Sequence, residues 1–387
     1  METTRLKKLR LARGLSLDAL VAKMGGLVSK QAISKYERGL SQPSQLVLVR
    51  LAKALDIKAV ELWAEPDFQI EYIAFRKKSR LGAKEIARLQ SCCDLAVERR
   101  MELQSLFWSE IPSKLTQQKI TSLDQVEEAA KGLRQAWELG ANPIAHLIDT
   151  LESNFVHVIE IPGDNSFDGW SAQVKAEGRI VGRAVISRQG TMRERQRFNL
   201  AHELGHLICD PHNIDEEKVA HRFAGAFLAP AESVIRDTGT RRTNISLQEL
   251  ILLAKKYGIS TQATLRRLLD LGIITDAQYT SWFKFISMKG WRKCEPWQTP
   301  PEQSYWVQRT ASRALAEGLI DPSTARRLHP DLVEDHVSSS LEAKREFLNL
   351  SIAERRTILQ DQAIKAADYY AETLEDVMEG DFDDYEN

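Results

Sequence analysis

Cysteine is scarce: the 387 residues hold four, Cys92, Cys93, Cys209 and Cys294, with no CxxC pair and no framework-like spacing. That excludes a disulfide scaffold and a cysteine-type zinc ribbon, and it suits a reducing compartment. No apolar core follows Lys7-Lys8 at the N-terminus, and no run of eighteen apolar residues occurs anywhere, which argues against secretion and against a membrane span. The expected location is the cytoplasm. Net charge is also nearly lacking, at −1, while 43% hydrophobic content supports ordinary globular cores and the length allows two or three domains. The near-zero balance conceals an asymmetry. Residues 1–66 carry twelve Lys/Arg against six Asp/Glu, whereas the last sixteen residues carry eight acids and no base, so the two ends suit different partners.

The stretch richest in chemistry runs from Arg197 to Ile208, RFNLAHELGHLI, and reads as a helix with HExxH in its middle. On a helix His202 and His206 sit one turn apart on one face, so two imidazoles can share one small cation with Glu203 beside them. Neutral imidazoles suit Zn²⁺, whose bound water has a pKa lowered to about 7, and a neighbouring carboxylate then serves as general base. Glu203 is that candidate. The competing reading is a structural pair of satisfied histidines. Phe198, Ala201, Leu204 and Ile208 give the helix the buried stripe that a zincin helix needs. A third ligand must come from downstream. His212 has metzincin spacing but lacks the glycine that turns the chain, since Cys209 stands there. Glu217 opens a second helix whose Ala220, Phe223, Ala224 and Phe227 can pack on the first, and Glu216 adjoins it. Strand-like runs at 155–161, 170–174 and 179–186 precede the HExxH helix, and His157 reads as an ordinary strand residue.

The N-terminus reads as short helices: a basic one from Arg5 to Arg13 stopped by Gly14, one from Leu17 to Met24 capped by Ser16, and one from Lys30 to Glu37 capped by Ser29. In the last, Ala32, Ile33 and Tyr36 face inward, leaving Lys30, Gln31, Ser34 and Lys35 outward, a set suited to base edges in a major groove. Arg38 and Arg10 are candidates for phosphate contacts.

RLKKLRLARGLSLDAL, SKQAISKYERG, Pro43-Ser44 and LVRLAKAL closely resemble the XRE, lambda repressor-like, DNA-binding family, which implies operator reading by Lys30 to Tyr36. RQRFNLAHELGHLI with ExxAxxFAxxxLxP from Glu217 to Pro230 looks like the ImmA/IrrE family of zinc metallopeptidases. That resemblance implies His202, His206 and Glu217 as zinc ligands, Glu203 as water activator and Pro230 as the end of the second helix. The family usually has Asn where this chain has His221, which is either an added member of the shell or a packing substitution; packing is the expectation. The segment 350–387, with a Ser351 to Glu354 capping box and an acidic tail, is similar to the C-termini of small type II antitoxins.

The expected fold class is mainly α with an α+β part: a lambda repressor-like helix-turn-helix plus a zincin-like domain with a small sheet. The expected division is a DNA-binding domain at 1–66, a helical connector at 67–150, a peptidase core at 151–240, a helical subdomain at 241–330, and a helix with acidic tail at 331–387. Cys92 and Cys93 fall in a long helix and read as buried packing residues. The expected function is a DNA-binding regulator with a zinc-dependent metallopeptidase domain that controls a repressor, itself or a partner, by proteolysis. Double-stranded operator DNA and a protein substrate, such as a helix-turn-helix repressor, are the partners, with a homodimer for paired half-sites. The alternative is a non-enzymatic antitoxin-like repressor that neutralises a toxin through residues 350–387.

Overall fold

The computed structural model describes residues 5–63, 66–73, 82–108, 111, 115–163, 167, 169–292, 295–297, 299–329, 348–352, 354–357 and 360. Most of the 350–387 segment expected to meet a toxin, residues 361–387, lies outside the described residues. The chain divides into two compact units, Met1–Thr310 and Ala311–Asn387.

The first unit begins with α1 (Arg5–Ala12), α2 (Leu17–Lys23), α3 (Lys30–Glu37) and α4 (Gln45–Leu55), then a 3₁₀ turn at Ala59–Leu62. Ser16 and Ser29 cap α2 and α3 as expected, accepting from the amides of Ala19 and Ala32. Leu6, Leu9, Leu20, Ile33, Leu51 and Leu55 close a small core. Arg10 corrects the expectation of a phosphate contact. It is buried, donates from Nε and Nη2 to the Glu37 carboxylate at 2.6 and 2.8 Å, and donates from Nη1 to the Leu15 carbonyl. A guanidinium held in that fork ties α1 to the end of α3 and offers nothing to a nucleic acid.

Helix α5 (Ala83–Ser105) lies between this module and a small sheet. Its Leu89, Cys93, Val97 and Met101 recur every fourth residue and bury one stripe against the sheet. Another face meets α1, where Leu95 joins the helix-turn-helix core, Glu98 pairs with Arg5 and Lys8, and Asp94 lies 3.3 Å from Lys8. Cys93 is buried and Cys92 half-buried, as packing residues would be.

The sheet has the order β1-β4-β5-β3, built from β1 (Gln69–Tyr72), β3 (Val156–Ile161), β4 (Gly169–Ala176) and β5 (Arg179–Arg188). β3 runs parallel to β5, and the other pairs are antiparallel. Two pairings escape sequence reading. β1 is the outermost strand of the sheet beside β4, and β2 (Gln118–Ile120) pairs in parallel with β6 (Cys209–Pro211), directly after the HExxH helix. Helices α6 (Leu123–Ala136), α7 (Leu147–Ser153), α8 (Arg193–Ile208), α9 (Glu216–Leu228), α10 (Ala231–Thr238), α11 (Leu247–Tyr257), α12 (Thr261–Asp270) and α13 (Asp276–Met288) build the main core. α8 starts four residues before Arg197 because Glu194 and Gln196 are already buried on its inner face. Pro230 follows the end of α9 and stands as the N-terminal flank of α10. α14 (Trp306–Ala316) and α15 (Pro322–Leu328) come last among the named helices. Among the described residues no helix is long and apolar enough to cross a membrane.

Candidate functional site

Two buried helices, α8 and α9, bring the candidate ligands together. They approach closely because Gly205 has no side chain: a Cβ there would stand 3.2 Å from the Phe223 Cβ and 3.3 Å from the Ala220 Cα. Phe223, Ala224 and Phe227 of α9 are fully buried, so the apolar stripe fixes which way α9 turns its first residues. The N-terminal half of α8 is pinned separately. Arg197, buried, donates to the Ile144 and Gly258 carbonyls and pairs with Glu302.

The resulting geometry is a triangle. His202 Nε2 and His206 Nε2 are 3.2 Å apart, and Glu217 Oε1 lies 3.7 Å from the first and 3.5 Å from the second. Ligands about 2.0–2.1 Å from one tetrahedral first-row ion stand about 3.3–3.4 Å from each other, so the spacing and the N,N,O donor set fit a divalent cation. The protonation pattern fits too. Glu216 Oε1 is 3.1 Å from His206 Nδ1, and a carboxylate accepting there leaves Nε2 with its lone pair aimed into the triangle. Burial pulls the His202 pKa below that of an ordinary imidazole, against the opposing effect of a hydrogen bond to the Glu217 carboxylate, with the neighbouring His221 and His206 adding to the depression. The neutral, ligating form is the favoured one.

The candidates separate cleanly in space. Glu217 reaches the two Nε2 atoms, while Glu216, one residue earlier and about 100° around the helix, reaches the far nitrogen of His206. His212 is brought to neither. β6 carries the chain away along β2, the His212 amide donates to the Ile120 carbonyl, and its exposed ring meets Asp210 at 2.9 Å. His157 is buried in β3 with its Nε2 on Gln104. Glu203 is buried, and a Cβ on Gly169, the first residue of β4, would stand 2.8 Å from its Oε1. The sheet therefore presses its barest residue on the candidate base. His221 is exposed, and its ring lies beside those of Phe198 and His202, with centroids 6.0 and 4.5 Å away. A cleft of about 1260 Å³ opens beside the triangle, walled by Phe198, Asn199, Glu217, His221 and Tyr279 among others.

The second site is the outer face of α3. Lys30, Gln31, Lys35 and Arg38 are exposed and Ser34 half-exposed, while Ile33 is buried beneath them. Lys30 Nζ lies 3.4 Å from Asp18 in a solvent-exposed pair, too weak to withhold it from a ligand. Arg38 closes α3 and donates to the Ser34 carbonyl.

Sequence reading missed Gly169, Glu216 as a partner of His206 Nδ1, and the edge-on ring of His221. Only the spacing of His221 from Glu217, four residues on one helix, carried any advance signal. No curated protein matches the chain. Residues 6–62 match a family model described as helix-turn-helix, and residues 164–269 match one described as IrrE N-terminal-like domain. The chain joins an XRE-type helix-turn-helix at its N-terminus to a metallopeptidase-like domain of the ImmA/IrrE kind.

Proposed function

We propose that the chain is a transcriptional regulator that works in the cytoplasm, binds operator DNA through α3, and carries a zinc-dependent metallopeptidase that controls a repressor, itself or a partner, by proteolysis. The observation that supports this most is the triangle of His202 Nε2, His206 Nε2 and Glu217 Oε1, with Glu203 buried next to His202 on the same helix. Zinc held there supplies Lewis acidity and a water with a pKa lowered to about 7. Everything else falls to this chain's side chains. Burial favours the neutral form of His202, and Glu216 on the Nδ1 of His206 orients that ring with its Nε2 toward the triangle. Glu203 takes the proton of the attacking water on its carboxylate and passes it to the leaving amine. The cleft lined by Phe198, Asn199 and Tyr279 receives an extended segment of the protein substrate.

On the DNA side, Lys30, Gln31, Ser34 and Lys35 meet base edges and Arg38 a phosphate. A second copy over the exposed Leu46, Val49, Val60 and Trp63 would present paired half-sites. The test uses the zinc-loaded full chain with itself and with a helix-turn-helix repressor as substrates. Glu203→Gln is expected to keep the metal and lose hydrolysis by about 10²–10⁴-fold. Unchanged hydrolysis in that variant, or a wild type that holds no zinc, overturns the enzymatic reading.

A further inference from the structure

We propose that His221 is a fourth protein ligand of the metal held by His202, His206 and Glu217, so that the resting centre is closed and must release His221 before water or a substrate carbonyl can enter. The inference rests on the zinc reading of the triangle and goes beyond it. Three protein ligands leave a catalytic ion one open position, whereas four make the closed shell of a structural or latent site.

The placement comes from α9 itself. His221 lies one turn after Glu217, so both side chains leave the helix on one face. Donor atoms of His202, Glu217 and His221 all fall within 4.8 Å of one another, a group compact enough to gather around one ion. The rings of His221 and His202 meet in a T-shaped arrangement, with centroids 4.5 Å apart and an interplanar angle of 75°, so the two imidazoles adjoin one another.

The tautomer points the same way. His221 Nδ1 is 2.7 Å from the backbone carbonyl of Glu217. A carbonyl oxygen only accepts, so Nδ1 carries the hydrogen, and in the neutral ring the lone pair is on Nε2. One nitrogen anchored on a carbonyl and the other left for an ion is the usual state of a ligating imidazole.

Exposure explains why this ligand would be the one to leave. The His206, His202 and Glu217 side chains are 3%, 13% and 27% exposed, while His221 stands at the exposed edge of the group and lines the cleft. A segment entering that cleft meets His221 beside Glu217. Displacement then couples substrate binding to the opening of the fourth position, and leaves the centre inert in its absence.

The experiment is zinc K-edge X-ray absorption on the purified zinc-loaded full chain and on His221→Asn, whose exposed position spares the fold, with circular dichroism as the check. Three imidazoles in the wild type and two in the variant are expected. Two in both proteins would overturn the fourth ligand and leave the triangle intact. Zinc content unchanged in His202→Ala would instead remove the triangle, and this inference with it.

Discussion

Gly169 and Glu203 show how much of the candidate chemistry depends on an atom that is missing. Glycine at the head of β4 lets the strand pass over the carboxylate at a distance no side chain would permit, since a Cβ there would also stand 2.9 Å from the Ile186 carbonyl. Gly169→Ala is expected to retain metal, because none of the three ligands moves first, and to lose hydrolysis as Glu203 is pushed aside. Overpacking of this kind costs about 1–3 kcal/mol, so the melting temperature falls as well. Metal content, thermal melting and cleavage measured on one preparation separate the two effects. Full cleavage in the alanine variant would mean that Glu203 is not held by that contact.

Among the elements, α3 carries one candidate site and the α8–α9 pair the other, and α3 and α9 are each braced by ion pairs on the other side. In α3 the buried Arg10–Glu37 fork holds the C-terminal end from the side opposite the exposed face. Gln31→Ala is expected to weaken operator binding by about 1–3 kcal/mol at one base position and leave affinity for unrelated DNA unchanged, which competition titrations at fixed salt would reveal. Helix α9 is held through Arg222, which pairs with Glu127 of α6 and Asp270 of α12; Glu127 also takes both Nη groups of the buried Arg267. Burial alone would raise the Glu127 pKa, but Arg267 and Arg222 overcome it and hold the carboxylate below its ordinary range. A lowered folded-state pKa gives stability that is present above the unfolded value, about 4.3, and is lost as pH falls through the folded value. Glu127→Gln therefore should be less stable than wild type near neutrality, and the gap should narrow below about pH 4. Denaturant titrations at several pH values test this, and a gap independent of pH would contradict it.

At the scale of the whole first unit, α5 is packed on both sides. Its Leu89–Met101 stripe lies on the sheet, and Asp94, Leu95 and Glu98 hold α1 of the DNA-binding module. The sheet in turn packs against α8, so the helix-turn-helix module and the triangle belong to one compact unit. A ligand that binds only the folded state stabilises by RT ln(1 + [L]/Kd), about 2.7 kcal/mol at a hundredfold excess over Kd. Stripping the metal with a chelator is expected to lower the melting temperature of this unit by a few degrees, helix-turn-helix included, and added zinc to restore it. Far-ultraviolet circular dichroism with and without chelator provides the measurement; identical curves would mean that no ion is bound.

Local signals decided a great deal. Ser16, Ser29, Ser246 and Ser260 each cap a helix from within three residues, and the 3.6-residue recurrence of apolar side chains marks α8 and α9 wherever they pack. Capping and periodicity act between neighbours in the chain, so the residues alone carry them, and with them the two modules and the HExxH helix. Partners distant in sequence were another matter. β6 running beside β2, which takes His212 away, Glu216 on one nitrogen of His206 while Glu217 faces the other, Arg10 locked on Glu37, and the docking of α1 on α5 all depend on where the chain returns after a long excursion. No local preference encodes that return. It is settled when whole apolar faces are buried together, and only then do side chains of similar chemistry acquire different roles.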